Sequence, residues 1–179
     1  MNLESLKNKK ILYISVKTFN YELEIANKLR GLGAKVDYFD ERPSNSLLTK
    51  GIIRLKRSLI QKKIDTYYKS ILTKIEGEKY DFFFLVKGEA IPSFFIEKLK
   101  LLQKDCLFIY YTWDSFENNP NALSILHFFD KKLTFDPIDA EKFKLAFRPL
   151  FYIDKYKNIK NIKKPKYKML FLGTAHSDR

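Results

Sequence analysis

The sequence predicts an α/β protein, with a Rossmann-like parallel sheet and helices on both faces. Short apolar runs recur along the chain, and amphipathic stretches separate them. Each run is apolar throughout, which is typical of strands that are covered on both faces of a sheet. Strands that alternate with helices in this way favour a parallel, doubly wound architecture.

The first half of the chain predicts three strands and two helical segments. The strands cover residues 11–16, 34–39 and 80–86, which are rich in β-branched and aromatic side chains. A helix over 21–30 ends at the glycine stop formed by Gly31 and Gly33. Residues 46–75 are amphipathic over their length and predict one long helix, in which Gly51 is the residue suited to a break.

The second half predicts three more strands, over residues 107–111, 132–135 and 147–151. Pro92 suits the first turn of a helix, so a helix is predicted from there to residue 103. Shorter helices are predicted over 122–128 and 138–144. Together these elements predict one domain over residues 1–153.

Composition places the chain among globular proteins and indicates a reducing compartment. Of its 179 residues 45% are hydrophobic, which is too many for a disordered chain. Cys106 is the single cysteine, so the chain can form neither an internal disulfide nor a thiolate metal cluster. The N-terminal apolar run is too short for a signal peptide or a membrane span. We therefore expect a cytoplasmic protein.

Two segments carry much of the positive charge, which sums to +13 for the chain. Residues 50–74 hold eight Lys or Arg against one Asp, and residues 155–168 hold seven Lys and no acid. Two interpretations stay open: solvated surfaces, or contact with phosphate-bearing substrates or with an anionic membrane at its inner face. On one continuous helix, Lys56, Lys63 and Lys69 share a broad face. Nucleic acid is not expected, because the aromatic residues lie in apolar strands rather than among the basic residues.

Several enzyme classes lack their motifs in this chain. The turn after the first predicted strand has no G-x-G-x-x-G, and the sequence contains no P-loop and no G-x-S-x-G. The two histidines, His127 and His176, lie far apart without the spacing of metal ligands. Function is therefore expected from polar side chains at the rim of the sheet.

The residues that follow each strand are the candidates, because open parallel sheets bind ligands at the carboxyl ends of their strands. Lys17 and Thr18 follow the first strand, and Lys87, Gly88 and Glu89 follow the third. A glycine at such a point lets the backbone approach a ligand closely. An ordinary strand-to-helix turn explains the same three residues equally well.

The loop after the fourth strand is the most informative. Trp113, the single tryptophan, stands beside Asp114, with Ser115, Asn118 and Asn119 close behind. This set suits a polyhydroxylated substrate, because C–H faces of a sugar stack on an aromatic ring while its hydroxyls pair with Asp and Asn. The alternative is a tryptophan packed on the sheet edge and a helix cap formed by Asp114 or Asn118.

The chain changes character after the sixth predicted strand. Residues 154–167 have linker composition, with many lysines and few apolar residues. Residues 168–179, KMLFLGTAHSDR, then predict the first strand and turn of another βα unit. We therefore expect two similar domains, with most of the second lying beyond Arg179. The chain would then be a fragment, a truncated gene product or half of a split enzyme, and these three alternatives stay open.

Two motifs accompany this arrangement, YYTWDS at 110–115 and FDPIDA at 135–140. Together they resemble bacterial glycosyltransferases of the GT-B type, and most closely the lipopolysaccharide and capsule biosynthesis proteins. The resemblance extends over essentially the whole chain. It implies a first domain that binds a cell-surface glycan or lipid-linked acceptor, and a second domain that binds a nucleotide-sugar donor.

The resemblance also implies roles for particular residues. Asp114 is the first candidate for the base that takes the acceptor's proton, and Glu89 is the second. The rim residues named above are expected to contact the acceptor. The residues expected near the donor diphosphate are Gly173, Thr174, His176, Ser177 and Arg179.

No essential metal or cofactor is implied, since basic residues and helix N-termini can balance a leaving diphosphate. Without its second domain the chain is expected to be inactive. The alternative is a non-catalytic binding or partner module with a flavodoxin-like fold.

Overall fold

The computed structural model describes residues 6–154, which form one six-stranded parallel sheet with helices packed on it. The strand order is β2-β1-β3-β4-β5-β6. The predicted α/β class and Rossmann-like parallel sheet are therefore confirmed. The predicted strand and turn over 168–179, and the linker over 154–167 apart from Asp154, lie outside the described residues.

Strands and helices alternate along the chain as predicted. The strands are β1 (Lys10–Ser15), β2 (Lys35–Asp40), β3 (Phe82–Val86), β4 (Leu107–Thr112), β5 (Lys131–Thr134) and β6 (Ala146–Phe147). The α-helices are α1 (Tyr21–Gly31), α2 (Leu47–Lys56), α3 (Gln61–Lys74), α4 (Ser93–Leu102) and α5 (Pro137–Phe143). The segments Arg57–Ile60 and Pro120–Phe128 are 3₁₀ helices.

Two short elements of the second half differ from the prediction. Residues 122–128, predicted as a short helix, belong to a 3₁₀ helix that begins at Pro120. The last strand covers residues 146 and 147 instead of 147–151. Pro149 contributes to the shortening, because proline has no N–H to offer a sheet ladder.

The long helix predicted over 46–75 is wrong. The segment contains α2, the 3₁₀ turn Arg57–Ile60 and α3, and the break falls at Lys56 (φ −154°, ψ 73°) and not at Gly51. Arg57 anchors the break, since its Nη2 donates to the Ile91 carbonyl at 3.1 Å. Lys56 therefore shares no continuous helical face with Lys63, which lies on α3.

The sheet reverses its direction of growth after β2. β2 pairs with one edge of β1, and the chain then crosses to the other edge, where β3 pairs with β1. Because parallel crossovers share one hand, this reversal moves the following helices to the opposite face. It also creates a crevice between the carboxyl ends of β1 and β3, which is where sheets of this kind bind ligands.

The two faces of the sheet are covered differently. α3, α4 and the segment Pro120–Phe128 pack on one face around a large aromatic core. α1 packs on the other face through Ala26, against Tyr13 and Val36. Beside α1 an apolar groove of about 510 Å³ is lined by Ile11, Phe82, Phe84, Ile109, Tyr111 and Leu133, among others.

None of the helices in residues 6–154 has the length and apolar character needed to cross a membrane.

Candidate functional site

Candidate residues from three neighbouring strands meet at the carboxyl edge of the sheet. Lys17 follows β1, Lys87 and Glu89 follow β3, and Trp113 and Asp114 follow β4. Carboxyl ends of parallel strands lie at one edge, so the structure brings these five residues to a single rim. The crevice at the reversal point, between β1 and β3, is part of this rim.

The loop after β3 is held in an unusual backbone conformation. Lys87 has a φ of 85° and Gly88 a φ of 70°, both in the left-handed region. Such strain persists where the surroundings enforce it, and it often marks functional sites. Here the Lys87 N–H donates to the Tyr111 carbonyl, while the Lys87 carbonyl accepts from Tyr110 Oη and Asn119 Nδ2, each at 2.9 Å. The loop is therefore fixed by the protein itself.

Gly88 is needed for close packing on the core beneath the loop. A Cβ at this position would lie 3.0 Å from Tyr110 Cε2 and 3.1 Å from Ile125 Cδ1. The sequence suggests a close approach between this glycine and a ligand. In the structure the close approach is to the core.

Arg42, Lys87, Glu89 and Asp114 form a continuous charge network in the rim. The Arg42 guanidinium binds Glu89 Oε2 through Nε at 3.1 Å and also through Nη2. The Lys87 ammonium lies 3.7 Å from the same oxygen and 3.2 Å from Asp114 Oδ2. The exposed fractions of the four side chains, in that order, are 4%, 10%, 8% and 31%. Asp114 is therefore the member most open to a ligand, whereas Glu89 is enclosed between two cations.

Glu41 adds a buried carboxyl group next to this network. Its Oε1 accepts from the N–H groups of Ala90 and Ile91, the latter at 3.2 Å. Its Oε2 has no hydrogen-bond partner within the part of the chain that the structure describes. Burial raises the pKa of Glu41 from 4.5 to about 7, and the nearby Glu89 carboxylate adds to the increase.

The acidic residues of the two motifs support the loop after β4. Thr112 Oγ1 accepts from the Asp114 N–H at 3.0 Å and donates to the Asp114 carbonyl at 2.7 Å, which closes a tight turn. Asp139 Oδ2 accepts from the Phe116 N–H at 2.8 Å and so joins FDPIDA to YYTWDS. Asp136 caps the N-terminus of α5. Asp114 keeps its carboxylate at the surface of this framework.

A row of aromatic rings runs along the same edge. The ring centroids are 6.0 Å apart in each of the pairs Phe19–Tyr21, Tyr21–Phe151 and Trp113–Phe151. Phe19 is 82% exposed, and Phe151 is exposed as well. Trp113 is half-buried and packs against the apolar cluster on the face of the sheet that α1 covers. Trp113 therefore rests on the sheet edge and also borders an exposed aromatic surface, while its contact with a sugar stays a prediction.

The remaining predicted contact residues differ in their availability to a ligand. Lys17 and Asn118 are exposed, while Thr18 and Ser115 are half-buried. Asn119 is buried, and its side-chain amide holds the loop after β3. Asn119 thus supports the rim from within.

The expected donor contacts Gly173, Thr174, His176, Ser177 and Arg179 lie outside the described residues. Among residues 6–154, no three His, Cys, Asp or Glu side chains gather as a metal site would require.

Comparison with known proteins leaves the family open. No protein-family model, no curated protein and no solved structure matches this chain. The resemblance to GT-B glycosyltransferases therefore stays a prediction from the sequence motifs.

Three residues of this rim have contacts that the sequence does not show: Glu41 and Arg42, which it places after the second strand without a specific role, and Phe151. The first two directly follow β2, and that position was the available indication that they face the carboxyl edge. Their reach across β1 to the loop after β3 is a tertiary contact that no local pattern shows. Phe151 falls in the last predicted strand, whereas the structure places its ring between those of Tyr21 and Trp113.

Proposed function

We propose that residues 1–153 form the acceptor-binding domain of a glycosyltransferase. The enzyme would transfer a sugar from a nucleotide-sugar donor to a cell-surface glycan or a lipid-linked acceptor. The observation that carries the proposal is the aromatic row that includes Trp113, which directly precedes Asp114 with its part-exposed carboxylate. Aromatic faces stack on the C–H faces of sugar rings, and a carboxylate accepts hydrogen bonds from their hydroxyls.

Asp114 is the group that we assign as the acceptor-side base. In the transfer, the acceptor oxygen bonds to the anomeric carbon, the bond from that carbon to the donor diphosphate breaks, and the hydroxyl proton passes to the carboxylate. Lys87 and Thr112 hold Asp114 in place, so its position is set in advance. Glu89 ranks second, because Arg42 and Lys87 enclose it.

The donor side of the reaction is assigned to the chain that follows residue 153. By the GT-B resemblance, Gly173 and Thr174 would approach the donor diphosphate, with His176, Ser177 and Arg179 close by. No metal ion is required in this scheme, because basic residues and helix N-termini balance the diphosphate charge. We expect residues 1–179 by themselves to transfer no sugar.

A non-catalytic partner module with a flavodoxin-like fold is the second candidate. It is favoured by the apolar groove beside α1, because exposed apolar surface of this kind serves protein interfaces. The strand order β2-β1-β3-β4-β5 is also that of flavodoxin-like sheets. A partner module of this kind needs no saccharide at the rim.

Saturation-transfer-difference NMR distinguishes the two candidates. The probes are a panel of neutral and acidic oligosaccharides, with UDP and GDP tested in parallel. We expect saccharide signals with the wild-type chain that weaken strongly in Asp114→Asn and Trp113→Ala and persist in the control His127→Ala, an exposed residue of the segment Pro120–Phe128. Absence of signal from every saccharide, or equal signals in Asp114→Asn and the wild type, would reject the acceptor-binding proposal.

A further inference from the structure

The segment between β2 and β3 presents apolar side chains to solvent. Leu47 is 88% exposed, Leu48 75% and Leu59 68%. In α2 the buried residues Thr49 and Ile53 are one helical turn apart and mark the inward face. The first turn of α2 therefore directs leucines away from the core, where a surface helix normally carries polar side chains.

The same segment is basic. α3 packs on the core through four apolar or aromatic side chains, and Lys62, Lys63 and Lys69 are exposed on its other side. Lys56, at the end of α2, is exposed as well. Residues 50–74 contain a single acid, the half-buried Asp65. Exposed leucines followed closely by lysines combine an apolar and an electrostatic contribution to surface binding.

We propose that this surface, formed by Leu47, Leu48, Leu59 and the exposed lysines of residues 56–69, docks on an anionic lipid bilayer. The leucines enter the boundary between headgroups and acyl chains, and the lysines contact anionic headgroups. Positive charge with almost no interspersed acid fits a continuous negative surface better than a protein partner of mixed charge. The docking does not depend on the sugar chemistry proposed above.

Docking through α2 brings the candidate site close to the lipid. β2 ends at Asp40 on the carboxyl edge, and Asn45 Nδ2 donates to Asp40 Oδ2 at 2.5 Å. Ser46 then caps α2 by accepting a backbone hydrogen bond from its first turn. Leu47 is therefore fixed near the edge that also carries Asp114. For a lipid-linked acceptor, a consequence that rests on the proposed function, the sugar would meet the rim at the membrane surface.

Vesicle co-sedimentation with the full chain tests the surface. The vesicles are phosphatidylcholine alone and phosphatidylcholine mixed with phosphatidylglycerol. We expect binding to the anionic vesicles that weakens as salt rises to physiological strength. Each lysine near an anionic surface changes partitioning about fivefold, so Lys62→Glu with Lys63→Glu should weaken binding at least tenfold. Leu47→Ser with Leu48→Ser should also weaken it about tenfold, since burial of the leucines is lost.

Matched variants place the same substitutions at the amino edge of the sheet. Leu101 and Leu102 are exposed at the end of α4, and Lys35 and Lys104 are exposed near the starts of β2 and β4. The two control variants are Leu101→Ser with Leu102→Ser, and Lys35→Glu with Lys104→Glu. Each should bind anionic vesicles within about threefold of the wild type, because distant charges are screened.

Three results would overturn the proposal. The first is no binding to anionic vesicles at low salt. The second is an equal loss in the control variants. The third is unchanged binding in the α3 lysine variant, which would assign the contact to the lysines of residues 155–168.

A fluorescent label reports insertion directly. Cys106 is buried, and burial raises the pKa of its thiol to about 12, so it should resist labelling. An environment-sensitive fluorophore on Leu47→Cys should shift to shorter wavelengths when anionic vesicles bind, whereas the same label on Leu101→Cys should not. Equal spectra at the two positions in the vesicle-bound state would show that the leucines of α2 stay out of the bilayer.

Discussion

The Arg42–Glu89 pair is the contact on which the rim depends most at the scale of single residues. Two nitrogens of the guanidinium bind one carboxylate oxygen, and Lys87 lies 3.7 Å from the same atom. Both partners of the pair are almost completely buried. A buried charge that loses its partner keeps the cost of desolvation without the compensating attraction.

Removing Arg42 is therefore expected to destabilise the fold strongly. Arg42→Met should lower the free energy of unfolding by about 3 kcal/mol, because the buried Glu89 carboxylate loses both hydrogen bonds from the guanidinium. The double variant Arg42→Met/Glu89→Leu should recover most of this loss. Urea unfolding at neutral pH measures both. Lys28→Met, which breaks the exposed pair with Asp154 at 2.9 Å, is the control and should cost little. Equal losses for the buried and the exposed pair would contradict the account.

Glu41 should make stability depend on pH. Burial raises its pKa from 4.5 to about 7, so between these values the folded chain keeps a proton that the unfolded chain has lost. Stability therefore falls as pH rises through this window, by at most about 3 kcal/mol in total, and falls no further above it.

Glu41→Gln removes this titration. Urea unfolding from about pH 5 to about pH 8 should then give a flatter stability profile than in the wild type, with the variant gaining relative stability at the upper end. Parallel profiles for the two proteins would show that Glu41 ionises in the fold as it does in water.

At the scale of elements, the connections after the strands matter more than the strands themselves. The loop after β3 combines left-handed backbone with close packing, and the loop after β4 is tied to α5 through Asp139. Several residues of the YYTWDS and FDPIDA motifs therefore act as hydrogen-bond partners within these loops. Most of them build the framework that leaves Asp114 and the aromatic row at the surface.

Gly88→Ala measures how tightly the loop after β3 is packed. The added Cβ would meet Tyr110 and Ile125 in addition to the strain of a positive φ, so we expect a loss of more than about 2 kcal/mol. Gly77 has a similar φ of 77° with nothing within 4 Å of a Cβ, so Gly77→Ala should cost only about 1 kcal/mol. Urea unfolding compares the two. Equal costs would mean that backbone strain alone, and not packing, requires glycine at 88.

The limits of sequence-based prediction also appear at this scale. The strands could be predicted because each is a local apolar run. Since the strands are parallel, the loops that follow them share the carboxyl edge of the sheet. The helix break at Lys56 could not be predicted, because it depends on a hydrogen bond from Arg57 to the carbonyl of Ile91, which lies in a loop distant in sequence. For the same reason the rim could be predicted in outline from the residues after each strand, while the contact of Arg42 with Glu89 and the position of Phe151 needed the fold.

Across the whole chain, most of the excess positive charge falls in sequence segments that contain no member of the rim network. In the rim network Arg42 and Lys87 are matched by Glu89 and Asp114, so the four formal charges cancel. The excess of the +13 chain lies largely in residues 50–74 and 155–168. A charge-balanced network of this kind suits a neutral polyhydroxylated ligand better than a diphosphate, as expected for the proposed acceptor site.

An acceptor site that is separate from the donor site predicts how the chain responds to nucleotides. UDP and GDP should bind weakly or not at all to residues 1–179, because in the proposed scheme most donor contacts lie outside the described domain. Isothermal titration calorimetry checks this, and micromolar affinity for either nucleotide would place the donor site on the described domain instead.

We propose that the carboxyl edge beside Trp113 binds a saccharide. Trp113 is the single tryptophan, so its indole N–H gives one NMR resonance that reports on the site. In a titration with the oligosaccharide that gives the strongest transfer signal, we expect this resonance to shift together with the amides of Lys87 and Asp114, along one binding curve. If the saccharide instead shifts residues of the groove beside α1, such as Phe84 and Leu133, while the Trp113 resonance stays in place, the acceptor site is not at this edge.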